Sequence, residues 1–255
     1  MASLEPGDLE AAVRRLAAGW SGTYRASLAS TQDEARALAT AGAPSRTLVV
    51  ADFQHAGRGR QGRTWLASPG AGLLVSIVLR APGPPRPWRS TALAAVALVE
   101  AIEQSVPDLR PAIKWPNDVL LDGRKVAGIL AEASFDGHEQ TAIVGIGTNV
   151  TTPGAELAGI GQPVTSLSLA AQRPVGRGAL LLALVARLDA WLDRPEEALR
   201  RCWQERLWGR GQRLRLAEAD GEREVVVLGV EADGALRVRL ADGRVIRTVT
   251  GELIL

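Results

Sequence analysis

The sequence predicts an α+β protein, a mixed or antiparallel sheet with flanking helices followed by a small β-barrel. Three observations predict it. Beyond Ala112, apolar runs are separated by Asp122-Gly123 and Asp136-Gly137, dipeptides whose glycine accepts the positive φ of a tight hairpin. Trp88 to Val106 and Gly178 to Leu192 are rich in alanine, leucine and valine and read as helices, the first of them buried. From Gly209 onward, alternating segments such as Leu236-Arg237-Val238-Arg239-Leu240 are punctuated by Ala-Asp-Gly turns at Ala219, Ala232 and Ala241, the pattern of a small all-β module of four or five strands.

The elements follow in order. Leu9, Val13 and Leu16 stand at helical spacing within the first twenty residues. Ser30 or Thr31 is a candidate N-cap, with Asp33 and Glu34 in the first turn and Ala35, Leu38 and Ala39 on the buried side, and Gly42 and Pro44 end that helix. Thr47 to Phe53 is a β-branched run and so a strand; Ala56 to Thr64 is a loop; Leu73 to Leu79 is a second strand, and Pro82 to Pro87 an exposed turn. Val119 to Leu121, Lys125 to Phe135 and Gln140 to Val150 form successive antiparallel strands. Glu196 to Leu207 is a further helix, set off by Pro195. The shift in composition places a boundary near Arg206, giving domains of residues 1–206 and 207–255.

Composition narrows the function. Hydrophobic residues at 46% allow a real core, and a net charge of +2 offers no basic stripe of the kind that coats a duplex. One local field stands out: between Asp52 and Glu100 there is no acid, while Arg58, Arg60, Arg63, Arg80, Arg86 and Arg89 fall there. The lone Cys202 excludes an internal disulfide framework and, with only His55 and His138, any cysteine- or histidine-rich metal site. No signal segment and no membrane-length apolar run is visible, so the expectation is a cytoplasmic protein without a membrane partner.

Three stretches carry chemistry. Gly57-Arg58-Gly59-Arg60-Gln61-Gly62-Arg63 follows a strand; its glycines let backbone amides approach a ligand and its arginines offer forks to carboxylate or phosphate, although a solvated or RNA-touching loop reads the same way. Lys114-Trp115-Pro116-Asn117-Asp118 packs a cation, an aromatic face, a turn, an amide and a carboxylate into one run, a set suited to a purine nucleotide with its phosphates and magnesium. Lys125 opens a buried strand next to Gly128 and needs an anionic partner or a route to water, unless it is an edge lysine guarding the sheet. Lys114 and Lys125 are also the only lysines of a chain whose 30 basic residues are otherwise arginine. An arginine fork is no substitute for a compact ammonium at a crowded anion.

Together these stretches closely resemble the biotin protein ligases. The resemblance rests on Ser30-Thr31-Gln32, Gln54-His55-Ala56-Gly57-Arg58-Gly59-Arg60-Gln61-Gly62-Arg63-Thr64-Trp65, Lys114 to Asp118, Lys125-Val126-Ala127-Gly128-Ile129-Leu130 and Gly145-Ile146-Gly147-Thr148-Asn149-Val150, in family order from about residue 25 to the end. It implies a class II synthetase-like sheet in a catalytic biotin- and ATP-binding domain, residues 1–206, and an SH3-like barrel after it. It also implies a two-step ligase that forms a carbon–nitrogen bond. Biotin and Mg-ATP give biotinyl-5′-AMP, and a lysine of a biotin carboxyl carrier protein domain then takes the biotin.

By the same resemblance Arg58, Arg60 and Lys125 are catalytic. Ser30, Thr31, Gln32, Gln54, Gly57, Gly59, Trp65 and Gly128 join them around biotin, while Lys114, Trp115, Asn117, Asp118 and Asn149 line the nucleotide side. Magnesium is expected through the ATP phosphates, with no metal ligands of the protein's own. The family's usual Ser-Thr-Asn is Ser30-Thr31-Gln32 here, a change in the reach of one side chain. Little chain precedes Ser30, so the DNA-binding winged helix of bifunctional members is not expected, and neither is a DNA partner. Exposed strands near Gln140 to Val150 would allow a homodimer. The alternatives are a lipoate ligase or octanoyltransferase of related fold and an RNA-binding protein using the arginine loop.

Overall fold

The computed structural model describes residues 8–254. The start of the expected first helix lies outside them. In chain order the elements are α1 (Asp8–Val13), β1 (Ser21–Arg25), α2 (Thr31–Thr40), β2 (Thr47–Ala51), β3 (Gly72–Pro82), α3 (Pro87–Ser105), β4 (Ala112–Lys114), β5 (Asp118–Leu121), β6 (Arg124–Phe135) and β7 (Glu139–Asn149). Then come α4 (Gly154–Leu157), α5 (Leu167–Ala171), α6 (Arg177–Leu192), α7 (Glu196–Glu205), β8 (Arg213–Glu218), β9 (Gly221–Val230), β10 (Leu236–Leu240), β11 (Val245–Thr248) and β12 (Glu252–Ile254).

The first seven strands form one mixed sheet in the order β1-β2-β3-β7-β6-β5-β4. β1 runs parallel to β2, and every other neighbouring pair is antiparallel. The Asp122-Gly123 hairpin forms as expected, both residues taking positive φ (48° and 74°), which matches the turn to the twist of β5 and β6. Alternation along the strands sorts side chains between two faces. Leu48, Val50, Leu73, Val75 and Ile77 join the large core under α3 and α6, while Val49, Val78 and Ile143 pack with Ala35 of α2 on the other face. The five C-terminal strands make a separate antiparallel sheet ordered β11-β10-β9-β8-β12, its first three connections being the three Ala-Asp-Gly turns.

Two expectations are corrected. The strand near Gln140 to Val150 is not an exposed edge: β7 is hydrogen-bonded to β3 on one side and β6 on the other, so its backbone has no free row with which to pair across a dimer. The edge-lysine reading of Lys125 also fails, since Lys125 pairs with Leu120 of β5 on one side and bridges to Val164 on the other. β1 was not expected at all. Its polar sequence, Ser21-Gly22-Thr23-Tyr24-Arg25, shows no apolar alternation. Tertiary contacts hold it instead: the Tyr24 hydroxyl donates to Asp52 Oδ2 at 2.6 Å, and Arg177 of α6 pairs with Asp52 Oδ1 at 2.6 Å. The hydrogen bond it donates to Asp52, then burial and the negative charge of Asp52, push the Tyr24 phenol up to about 12.

The two sheets touch at the end of the larger one where β4 lies. Trp208 N donates to Ile113 O at 2.9 Å, and the Trp115 indole N–H donates to Gly234 O at 3.0 Å. This junction brings Glu252 of β12 to Lys114 at the end of β4 and so next to the candidate site.

Candidate active site

One pocket gathers most of the residues singled out from the sequence: Ser30, Thr31, Gln32, Gln54, Arg58, Gly59, Arg60, Trp65, Lys114, Asn117, Asp118, Lys125, Gly128 and Asn149 all line it. Gly57 and Trp115 do not; they line an adjoining groove on the far side of the arginine loop.

The pocket floor is the β6–β7 pair, where Gly128 and Gly147 sit opposite each other. Their missing side chains make a flat seat, and the Trp65 indole lies on it. A Cβ built on Gly147 would come within 2.5 Å of the ring and one on Gly128 within 3.1 Å. The close approach of an aromatic ring to the backbone is therefore the physical reason for glycine at both places. The Trp65 indole N–H is buried with no hydrogen-bond partner among the described residues.

The closed end of the pocket is polar. The N-terminus of α2 presents Ser30, Thr31 and Gln32, each no more than 4% exposed. Gln54, just past β2, turns its carbonyl oxygen toward them and accepts from Thr31 N at 2.7 Å. Ser30 Oγ, at the N-cap position, makes no capping bond and is buried without a partner. A buried hydroxyl left unpaired is costly, by about 1–3 kcal/mol, and a ligand that pairs with it recovers that cost.

The open end is cationic. Lys125 Nζ lies 2.7 Å from Asp118 Oδ1 and 5.8 Å from the centre of the Trp65 ring. The arginine loop folds back on itself, with Gly59 N donating to Arg63 O at 2.7 Å and Trp65 N to Gly57 O at 2.9 Å. Its side chains fan outward: Arg58 pairs with Asp33, and Arg60 donates to Asn117 Oδ1 at 3.0 Å. Lys114 and Arg63 share one carboxylate, that of Glu252 in β12, at 2.9 and 3.0 Å. Among the described residues, Arg58, Arg63, Lys114 and Lys125 thus pair with the three carboxylates of Asp33, Asp118 and Glu252, and Arg60 with the amide of Asn117. The mouth carries positive charge that an anion can neutralise.

Glu252 also shows how the second sheet reaches the site. Burial raises its carboxyl, but the hydrogen bonds and charges of Lys114 and Arg63 outweigh burial and hold it below the usual value of 4.5. A carboxyl whose folded pKa is depressed contributes stability above its unfolded pKa, and that contribution is lost as pH falls through the lower folded value. Glu252→Gln should therefore be less stable than the parent at pH 7, with the gap closing below about pH 4. Thermal unfolding followed across pH checks this; a gap independent of pH would show that the ion pairs do not hold the sheet in place.

Nothing in the sequence marks several other lining residues. Ile160, Gln162 and Val164 reach the pocket from the stretch before α5. That stretch is laid along β6 by Lys125 N donating to Pro163 O and Thr165 N donating to Lys125 O, both at 2.9 Å, and Asn149 Nδ2 donates to Thr165 O at 3.2 Å. Asn149 thereby anchors the stretch. Ser76, buried within β3, also lines the pocket through its contacts with Thr31 and Gln32.

A model of the biotin/lipoate A/B protein ligase family matches residues 24–149, a span that holds every site residue expected from the sequence. The biotin--[acetyl-CoA-carboxylase] ligase of Paracoccus denitrificans is 37% identical over 226 residues, covering 84% of this chain and 92% of that protein. The chain belongs to the biotin protein ligase family. Another relative, the bifunctional ligase/repressor BirA of Bacillus subtilis, is 34% identical over 227 residues, covering 86% of this chain and 70% of that one. Among solved structures, the biotin protein ligase from Aquifex aeolicus in complex with biotin and ATP superposes with a TM-score of 0.74 at 26% identity, over 91% of this chain and 97% of that one. Ile160, Val164 and Glu252 of this family member lie outside the matched span 24–149, although they line the same pocket.

Among the described residues no helix is long and apolar enough to cross a membrane, and no group of three or more His, Cys, Asp or Glu is placed to hold a metal ion.

Proposed function

We infer that the protein is an ATP-dependent biotin protein ligase. The observation that carries this reading is a single pocket with unlike ends. Its closed end offers Ser30, Thr31 and Gln54 to a polar ring, its floor is bare glycine backbone under Trp65, and its mouth gathers Lys125 and the arginine loop. Biotin has the complementary order of groups: a cyclic urea, an apolar middle and a carboxylate.

In this reading a biotin carboxylate oxygen attacks the α-phosphorus of ATP, the bond from that phosphorus to the β-bridging oxygen breaks, and pyrophosphate leaves. Two anions must meet for this to happen. Lys125, with Arg58 and Arg60, offsets their repulsion and stabilises charge developing on the α-phosphoryl oxygens. Magnesium enters as the ATP complex. Lys114, Asn117, Asp118 and Asn149 border the nucleotide side, with Trp115 behind them in the barrel contact. In the second step a lysine amine of a biotin carboxyl carrier protein attacks the acyl carbon, loses a proton, and expels AMP.

The chemistry asks for no enzyme nucleophile, and the one thiol is ill suited to be one. Cys202 is buried on α7, outside the pocket, and burial pushes its thiol up to about 11. An octanoyl or lipoyl chain would also leave the Ser30 hydroxyl unpaired at the closed end. Incubation with biotin, Mg-ATP and a carrier domain should give a carrier heavier by one biotinyl group. Equal labelling with lipoate or octanoate would favour the related-fold reading, and no labelling by any acid would overturn the assignment.

A further inference from the structure

Three buried side chains and the half-buried Gln54 form, at the closed end, a chain of oxygen contacts that holds too few protons. Gln32 starts it. Its Nε2 donates to Ile143 O at 3.0 Å and to Glu132 Oε2 at 2.8 Å, both acceptors, so the amide cannot be turned round and Oε1 must face Ser76. Ser76 Oγ donates to Gln32 Oε1 at 3.0 Å. Its one proton is then used. Thr31 Oγ1 lies 2.8 Å from Ser76 Oγ and 3.0 Å from Gln54 Oε1, and its single proton can bridge only one of those gaps. Gln54 cannot answer by flipping, because its Oε1 already accepts from Thr31 N at 2.7 Å.

Three oxygen–oxygen contacts therefore share two hydroxyl protons, with Ser76 fully buried and Thr31 and Gln32 nearly so. Glutamine has the length to reach from α2 across to β6 and β7, and Gly145 leaves the room: a Cβ there would sit 2.6 Å from Gln32 Oε1.

We propose that Gln32 and Ser76 are positioning residues that leave the two contacts of the Thr31 hydroxyl oxygen, with Ser76 and with Gln54, one proton short between them, and that this deficit selects a ligand with an N–H at that point. The inference rests on the biotin reading above and deepens it. A cyclic urea supplies the missing proton from one ring nitrogen, removing a lone-pair repulsion that exists before it binds. A ring oxygen in the same place adds to that repulsion. Sites built to pair with a donor reject an analogue lacking it far more strongly than an apolar pocket rejects a change of shape.

The test compares binding of biotin with that of its two cyclic carbamate analogues, each with one ring N–H replaced by oxygen, by calorimetry without ATP. The parent protein should bind one analogue roughly 100-fold more weakly than biotin. Gln32→Met frees the Ser76 proton for Thr31 and the Thr31 proton for Gln54, satisfying the chain without ligand. The ratio should fall to roughly 10-fold, mostly through weaker biotin binding. Ser76→Ala removes two of the three contacts and should narrow the ratio in the same way. A purely structural role would weaken biotin and analogue together, and a ratio within about twofold of the parent in both variants overturns the proposal. Failure of the parent protein to bind biotin at all would instead remove the functional reading on which it rests.

Discussion

Lys125→Ala is expected to lower biotin-dependent pyrophosphate release by about 10³-fold, the scale seen when a fixed charge is removed from a developing oxyanion. The substitution has a second effect that must be separated from the first. Asp118, 6% exposed, loses the cation 2.7 Å away, and an uncompensated buried carboxylate costs a few kcal/mol. Lys125→Ala combined with Asp118→Asn removes that charge and should recover much of the stability without recovering the rate. Lys125→Arg keeps the charge but not the shape. The ammonium sits beside the Trp65 ring, 3.3 Å from where a Cβ on Gly128 would be, and a planar fork has no equivalent room. It should lose about 10²-fold. Parent-like turnover in either single variant would show that Lys125 is a structural partner of Asp118 and nothing more.

Gly147→Ala should weaken biotin binding by about 10²-fold, although a single methyl group is all that is added. The new Cβ would lie 2.5 Å from one indole carbon and 2.9 Å from two others, distances no side chain tolerates, so Trp65 must leave its seat or the β6–β7 pair must part. Overpacking of this kind costs about 1–3 kcal/mol. The loop cannot follow easily, because Trp65 N is bonded to Gly57 O within it. Gly159→Ala, where nothing lies within 4 Å of the added carbon, is the matched control and should bind biotin as the parent does. Titration calorimetry of both variants decides the point; unchanged affinity in Gly147→Ala would mean that Trp65 does not wall the biotin site.

Much of the fold could be read from the chain because most elements carry their own local signal. A short apolar run marks β3, and alternation marks β6 and β10; long apolar runs mark α3 and α6; Asp-Gly turns mark the hairpins. β1 escaped because its neighbours, not its residues, make it a strand: Tyr24 and Arg177 meet on Asp52. The stretch around Pro163 escaped for a similar reason, since two backbone hydrogen bonds to Lys125 place it and backbone bonds leave no mark in residue type. The site was legible where glycine, lysine and arginine cluster within short segments. It was not legible at Ser76 and Glu252, ordinary residues that matter because β3 and β12 bring them to Thr31 and Lys114. Gln32 was visible as a departure from the family's asparagine, but its partners on Ile143 and Glu132 required the folded chain.

The most direct test of the central claim, that this pocket activates biotin as an acyl adenylate, needs no carrier protein. The protein is incubated with biotin, Mg-ATP and inorganic pyrophosphatase, separated from free ligand, denatured, and the released small molecules identified by mass. Biotinyl-5′-AMP in near one-to-one ratio with the chain is the predicted result. Recovery of unmodified biotin, or of lipoyl- or octanoyl-adenylate as readily when those acids are offered, would contradict it.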